Sequence, residues 1–139
     1  MNAPATTLSD LDFHHVGVAC RNLDREQTVF EAMGYRLEGE PFEDPIQGIR
    51  GRFLTGVGPR VELVAPLGSD VNVLTNVLGH GVKMYHLAFT TSDMELSLDE
   101  AARARGKLMV APVPAVAFGG QRIAFVFLPN MLLMELIEL

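Results

Sequence analysis

Two stretches of the chain have the apolar alternation of β-strands, and each begins with a histidine. They are His15-Val16-Gly17-Val18-Ala19 and His86-Leu87-Ala88-Phe89-Thr90. Successive strand side chains point to opposite faces, so His15 shares a face with Gly17 and Ala19, and His86 with Ala88 and Thr90. The opposite faces, Val16 with Val18 and Leu87 with Phe89, suit packing beneath helices. Seven residues after each histidine stands a helix N-cap former, Asn22 or Asp93, whose side chain can accept from a free backbone N–H of the first turn. The helices that follow show apolar faces of Val29, Phe30 and Met33, and of Met94, Leu98, Ala101 and Ala102. Each is expected to end at a glycine, Gly34 or Gly106, suited to a left-handed C-terminal turn.

Three more strands are predicted after each glycine. They are Tyr35–Pro41, Ile49–Val57 and Arg60–Pro66, then Lys107–Val116, Gln121–Leu128 and Met131–Glu138. Gly58-Pro59 and Pro129-Asn130 supply turns before the last strand of each set. The reading is an α+β fold of two tandem β-α-β-β-β modules, residues 11–66 and 83–139. Residues 67–82 form a packed connector with a helical face of Val71, Leu74 and Leu78, and residues 1–10 a loose polar tail.

Composition narrows the class. The 139 residues are 48% hydrophobic, enough for one core. No apolar run reaches the ~18 residues of a membrane span, and the start lacks the basic and apolar regions of a signal peptide. A net charge of −6 argues against a nucleic-acid partner. The single cysteine, Cys20, forbids an internal disulfide and fits a cytoplasmic location.

The modules also place polar residues at matching points: His15 and His86 on the first strands, Glu62 and Glu135 on the last. Neither glutamate has a basic residue two positions away on its own strand, and a lone buried carboxylate is costly or protonates. A divalent cation neutralises two carboxylates and accepts two imidazoles. That donor set suits Zn, Co, Ni, Mn or Fe(II) without choosing among them. His14 is expected on the face opposite His15 in a structural role, His80 in a solvated loop, and Glu138 exposed on the face opposite Glu135.

With these features the chain resembles the vicinal oxygen chelate superfamily over roughly residues 11–139. That group includes glyoxalase I, methylmalonyl-CoA epimerase, extradiol dioxygenases and bleomycin-resistance proteins. The resemblance implies mixed sheets that curl around a central metal-binding cleft, with His15, Glu62, His86 and Glu135 as ligands. Within the group the chain looks most like the epimerases. The likeness is carried by Pro45-Ile46-Gln47-Gly48-Ile49, Val61-Glu62-Leu63-Val64-Ala65-Pro66 and Gly119-Gly120-Gln121-Arg122-Ile123-Ala124-Phe125. Two departures stand out. Gly51 occupies the place of a third-strand glutamate found in some epimerases, and Pro129-Asn130-Met131 shortens the loop before the last strand.

The chemistry so implied is proton transfer next to the carbonyl of a small acyl thioester or related compound, through a metal-stabilised enolate. Glu135 and Glu62 are the catalytic candidates, with Glu135 as both ligand and base, and Gln47 and Arg122 are candidate substrate contacts. A glyoxalase-I-like lyase and a non-catalytic small-molecule-binding protein are the alternatives. The outer face of the last strand, Leu132, Met134 and Leu136, needs cover, and with a mean hydropathy of +0.21 this leads us to expect a homodimer.

Overall fold

The computed structural model describes residues 7–68 and 72–139, so Val71 of the connector face and the first six residues of the tail lie outside the described residues. The elements follow in the order β1 (Leu11–Ala19), α1 (Leu23–Ala32), β2 (Arg36–Asp44), β3 (Ile49–Thr55), β4 (Val61–Pro66), α2 (Val73–Gly79), β5 (Met84–Thr91), α3 (Met94–Arg103), β6 (Lys107–Pro114), a 3₁₀ turn (Val116–Phe118), β7 (Arg122–Phe127) and β8 (Leu133–Glu138). The strand–helix–three-strand unit is thus used twice. All eight strands join in one sheet, in the order β2-β3-β4-β1-β5-β8-β7-β6. Within each module the first and last strands pair in parallel, and β1 and β5 meet antiparallel at the seam.

Three clusters divide the core. On one side of the sheet Val18, Leu54, Leu63 and Ala65 pack with Leu23 and Phe30 of α1. On the same side of the second module, Ala124, Val126, Met134 and Leu136 pack with Met94, Leu98 and Ala101 of α3. The other side carries Ala19, Val64, Tyr85, Ala88, Phe125 and Leu74 of α2. Met134 and Leu136 are therefore covered inside the chain. The apolar outer face of β8 does not require a second chain, and the reason for expecting a dimer there is removed.

Asn22 and Asp93 cap α1 and α3 by accepting from Arg25 N and Leu96 N, each at 3.0 Å. The inner face of α1 differs from the apolar reading. Val29 and Met33 are more than half exposed, while Leu23, Glu26, Gln27 and Phe30 turn inward. Two of these inward residues are polar because they meet charges: Glu26 pairs with Lys83 and Gln27 accepts from Arg52. Ala102 likewise lies exposed on α3. Gly34 does adopt a left-handed turn (φ +103°), but its counterpart is Arg105 (φ +66°) and not Gly106. Gly106 is needed for contact instead, since a Cβ there would sit 2.7 Å from Val126 and 2.9 Å from the Ala101 carbonyl.

The start of the described chain is held. Leu8 packs on the α3 cluster, and Ser9 donates to Glu100 from its N–H and its hydroxyl at 2.7 and 2.9 Å. Cys20 is buried, and burial pushes its thiol up to about 11. Among the described residues no helix is long and apolar enough to cross a membrane.

Candidate metal centre

The register repeats one arrangement. Two residues beyond each histidine, a small residue stands beside a glutamate of the parallel last strand: Gly17 beside Glu62, and Ala88 beside Glu135. Across the seam the same small residues face the other module's histidines, Gly17 opposite His86 and Ala88 opposite His15. The four side chains are thus carried to one spot by a near two-fold relation. A Cβ at position 17 would lie only 2.1–2.6 Å from the His86 ring, so glycine is needed for that ring to reach inward.

All four residues are buried. His15 Nε2 lies 3.0 Å from His86 Nε2, 3.3 Å from Glu62 Oε1 and 3.2 Å from Glu135 Oε1. His86 Nε2 lies 3.6 and 3.3 Å from the same two oxygens. Four tetrahedral ligands ~2.0–2.2 Å from a shared centre stand about 3.3–3.6 Å apart, and these separations come close to that spacing. Two imidazole nitrogens turned to each other and to two carboxylates suit lone-pair donation to a cation. In support, Glu135 Oε1 is a buried atom with no hydrogen-bond partner, a condition that native proteins rarely leave unresolved. The donor set and its geometry fit a divalent metal ion.

The sequence's strict alternation missed two residues of this site. A β-bulge between Phe13 and His15 turns His14 to the same side as His15, and a matching irregularity between Gly17 and Val18 faces Tyr85. Bulges re-aim side chains next to sites. His14 Nδ1 is 2.8 Å from His15 Nδ1. With His15 Nε2 presenting its lone pair, the ring proton resides on Nδ1 and is donated to His14, fixing the tautomer. Burial, with His15 and Arg60 nearby, lowers the His14 pKa to about 4 and keeps the ring neutral as that acceptor. Tyr85 stands edge-on to His86 with ring centroids 4.4 Å apart. Burial, and then Glu62 and Glu135, push its phenol well above the usual range, so it stays protonated.

The other candidate residues are placed elsewhere. Gln47 folds back in the β2–β3 turn and donates its Nε2 to Asp44 at 2.8 Å. Arg122 lies on the helix side, bonded to Glu138 at 2.5 and 2.8 Å and to Glu95 at 2.8 Å. The structure does not bring either to the cluster. Glu138 is half-buried by that pairing, not free in solvent. Asp44 carried no signal in the sequence, yet it is fully buried and accepts from Ile46 N, Gln47 N, Gln47 Nε2 and Val116 N. It clasps the β2–β3 turn to the 3₁₀ segment of the other module. That segment sets the Phe118 ring against His15, with centroids 6.2 Å apart.

Electrostatics make one prediction here. Burial works to lower the His15 pKa, but the Glu62 and Glu135 carboxylates outweigh it and raise the value from 6.5 to about 9. Burial likewise works to raise the Glu135 pKa, and its contacts with His15 and His86 outweigh it and hold the carboxylate ionised. A raised folded-state pKa gives stability that is complete below pH 6.5 and lost as pH climbs through about 9. Chelator-treated protein should therefore lose stability over that range. Protein with a saturating divalent cation should show the opposite slope, because proton and cation compete for the same Nε2. Denaturant midpoints at the two ends of the range, with and without cation, measure this. Parallel slopes would show that the cation does not bind at His15.

The comparisons bear on the family and the fold. The profile of the Glyoxalase/Bleomycin resistance protein/Dioxygenase superfamily matches residues 14–125. No curated protein sequence matches. Among solved structures, the methylmalonyl-CoA epimerase of Mycobacterium tuberculosis is 25% identical, with 99% of this chain and 92% of that one covered, at a TM-score of 0.74. A variant of the Streptomyces coelicolor methylmalonyl-CoA epimerase, in complex with 2-nitronate-propionyl-CoA, is 24% identical over 94% of this chain and 95% of that one, with a TM-score of 0.76. A hypothetical protein of Bacillus halodurans, 22% identical over 93% of this chain and 94% of that one, has a TM-score of 0.77. With two β-α-β-β-β modules, a buried His-Glu-His-Glu cluster at their seam and a profile match over most of its length, the chain belongs to the Glyoxalase/Bleomycin resistance protein/Dioxygenase superfamily.

Proposed function

We propose that the protein is a metal-dependent enzyme that moves a proton at the carbon next to a carbonyl, as in an epimerase or isomerase of small acyl thioesters. The observation that carries this reading is the convergence of His15, Glu62, His86 and Glu135 beside an open cavity. When bound there, a divalent cation supplies Lewis-acid polarisation of the substrate carbonyl. His15 and His86 would hold the cation, with His14 fixing the tautomer of His15. Glu135 would accept the proton once substrate chelation displaces its carboxylate from the cation, which makes it ligand and base in turn. Glu62 completes the donor set next to Phe53, its partner on β3. Buried Tyr85 and Phe125 pack edge-on against His86 and would shield that side of the cation site from bulk water. The lone buried Cys20 fits a cytoplasmic enzyme.

A one-base reaction, as in a glyoxalase-I-like lyase, is the second reading, and one observation favours it. A Cβ at Gly51 would lie 2.5 Å from Phe42 Cζ and 3.0 Å from the Leu63 carbonyl, so the Phe42 ring fills the space that an acid on β3 would use. The same experiment tests both. Metal-loaded protein is incubated in D₂O with acyl thioesters and, separately, with the hemithioacetal of a 2-oxoaldehyde. Deuterium gained at the thioester α-carbon, dependent on added metal, supports the epimerase reading. Conversion of the hemithioacetal alone supports the second. Inertness toward both rejects the enzyme.

A further inference from the structure

A cavity of about 440 Å³ opens next to the cluster, within the ~300–1,000 Å³ of small-molecule sites. Its wall is Phe42, Phe53, Phe118 and His14, and its rim is Glu38 and Glu40. Phe53 and Phe118 also touch the His15 ring, with centroids 5.2 and 6.2 Å away. The four candidate ligands do not themselves line the cavity, but Phe53, Phe118 and His14 belong to its wall and contact His15 as well, so cavity and cluster are neighbours. Phe53 lies 5.9 Å from both Phe42 and Phe118, a continuous aromatic surface.

The charges decide what this surface accepts. Arg60 is the one cation among the described residues lining the cavity, and it is already engaged. Its Nε donates to Glu38 Oε1 at 2.8 Å and its Nη1 to the His14 carbonyl at 3.0 Å. Glu40 has no cation to balance it among those lining residues. A carboxylate entering here would lose water and face two carboxylates, Glu38 and Glu40, against a single arginine whose charge Glu38 already offsets, and each of these costs free energy. An aromatic or branched alkyl group meets none of those costs and gains by leaving water.

Building on the proposed proton-transfer function, we infer that this cavity receives an uncharged aromatic or branched apolar substituent carried on the reacting carbon, and selects against a carboxylate in that position. The chain would then differ in substrate class from an enzyme of methylmalonyl thioesters, whose reacting carbon bears a carboxylate.

The test compares N-acetylcysteamine thioesters of 2-phenylpropionate and of methylmalonate on the metal-loaded protein. Two readouts are taken, calorimetric binding and deuterium gain at the α-carbon. The phenyl compound is expected to bind at least ~10-fold more tightly, and Glu40→Arg is expected to narrow that preference at least ~10-fold. Equal or tighter binding of the methylmalonate compound to the wild type overturns the inference, as does a Glu40→Arg protein with unchanged preference. Selective binding of the phenyl compound without any exchange supports the cavity's selectivity while rejecting the proton-transfer function on which substrates of this kind were chosen.

Discussion

A Glu135→Gln protein is expected to exchange the substrate α-proton on the order of 10²–10⁴-fold more slowly than wild type while still retaining its cation. Glutamine keeps an oxygen donor at the same place but cannot act as a base. His15→Ala is expected to fail in the other order: metal affinity falls first, and activity follows the metal. The imidazole Nε2 sits at the centre of the cluster, within 3.3 Å of His86, Glu62 and Glu135, so its removal leaves a gap that no neighbour fills. Metal analysis after dialysis, followed by exchange assays at saturating metal, separates the two effects. Equal metal loss and equal residual activity in both variants would show that base and ligand are not divided this way.

Gly17→Ala is expected to be nearly as damaging, although it adds only one methyl group. The new Cβ would meet the His86 ring at 2.1 Å, well inside contact distance. The ring must retreat by more than 1 Å from its present place, about the error that separates a working site from a loose one. We expect metal affinity to fall by at least ~10²-fold, and stability by about 1–3 kcal/mol for overpacking. Gly79→Ala is the control, since a Cβ there meets nothing within 4 Å. Calorimetry of metal binding and denaturant unfolding of both variants check it. A Gly17→Ala protein that binds metal like wild type would mean that the His86 ring is not held where the structure places it.

The element types, the two-fold repeat and the His15, Glu62, His86, Glu135 set were legible from sequence because each depends on local pattern and on matching positions in two halves. What escaped depends on breaks in that pattern. Alternation placed His14 on the wrong side because one extra residue in β1, opposite the Phe89–Ala88 step, reverses the count. Tyr85 was hidden by the corresponding irregularity in β5. Asp44 was invisible for another reason: its partner Val116 N is 72 positions away, and nothing local announces a contact at that range. The inner face of α1 misled because an apolar count cannot see that Glu26 and Gln27 are turned inward by Lys83 and Arg52. Arg122 belonged to a stretch that resembles the epimerases, yet its position puts it with Glu95 and Glu138 behind the sheet.

The seam between β1 and β5 has a consequence for how the chain folds. Each module closes its own parallel pair, β1 with β4 or β5 with β8, and until the two dock each presents an unpaired strand edge carrying one histidine. Such edges join any compatible strand, and the β5 edge of a second molecule matches β1 as well as the chain's own. At low protein concentration the tethered edge wins, since residues 67–82 keep it close. During refolding at high concentration, exchange between molecules becomes competitive. The product would hold two complete His-Glu-His-Glu clusters, each assembled from two chains. Donor content per chain would be unchanged, and only the molecular mass would record the exchange.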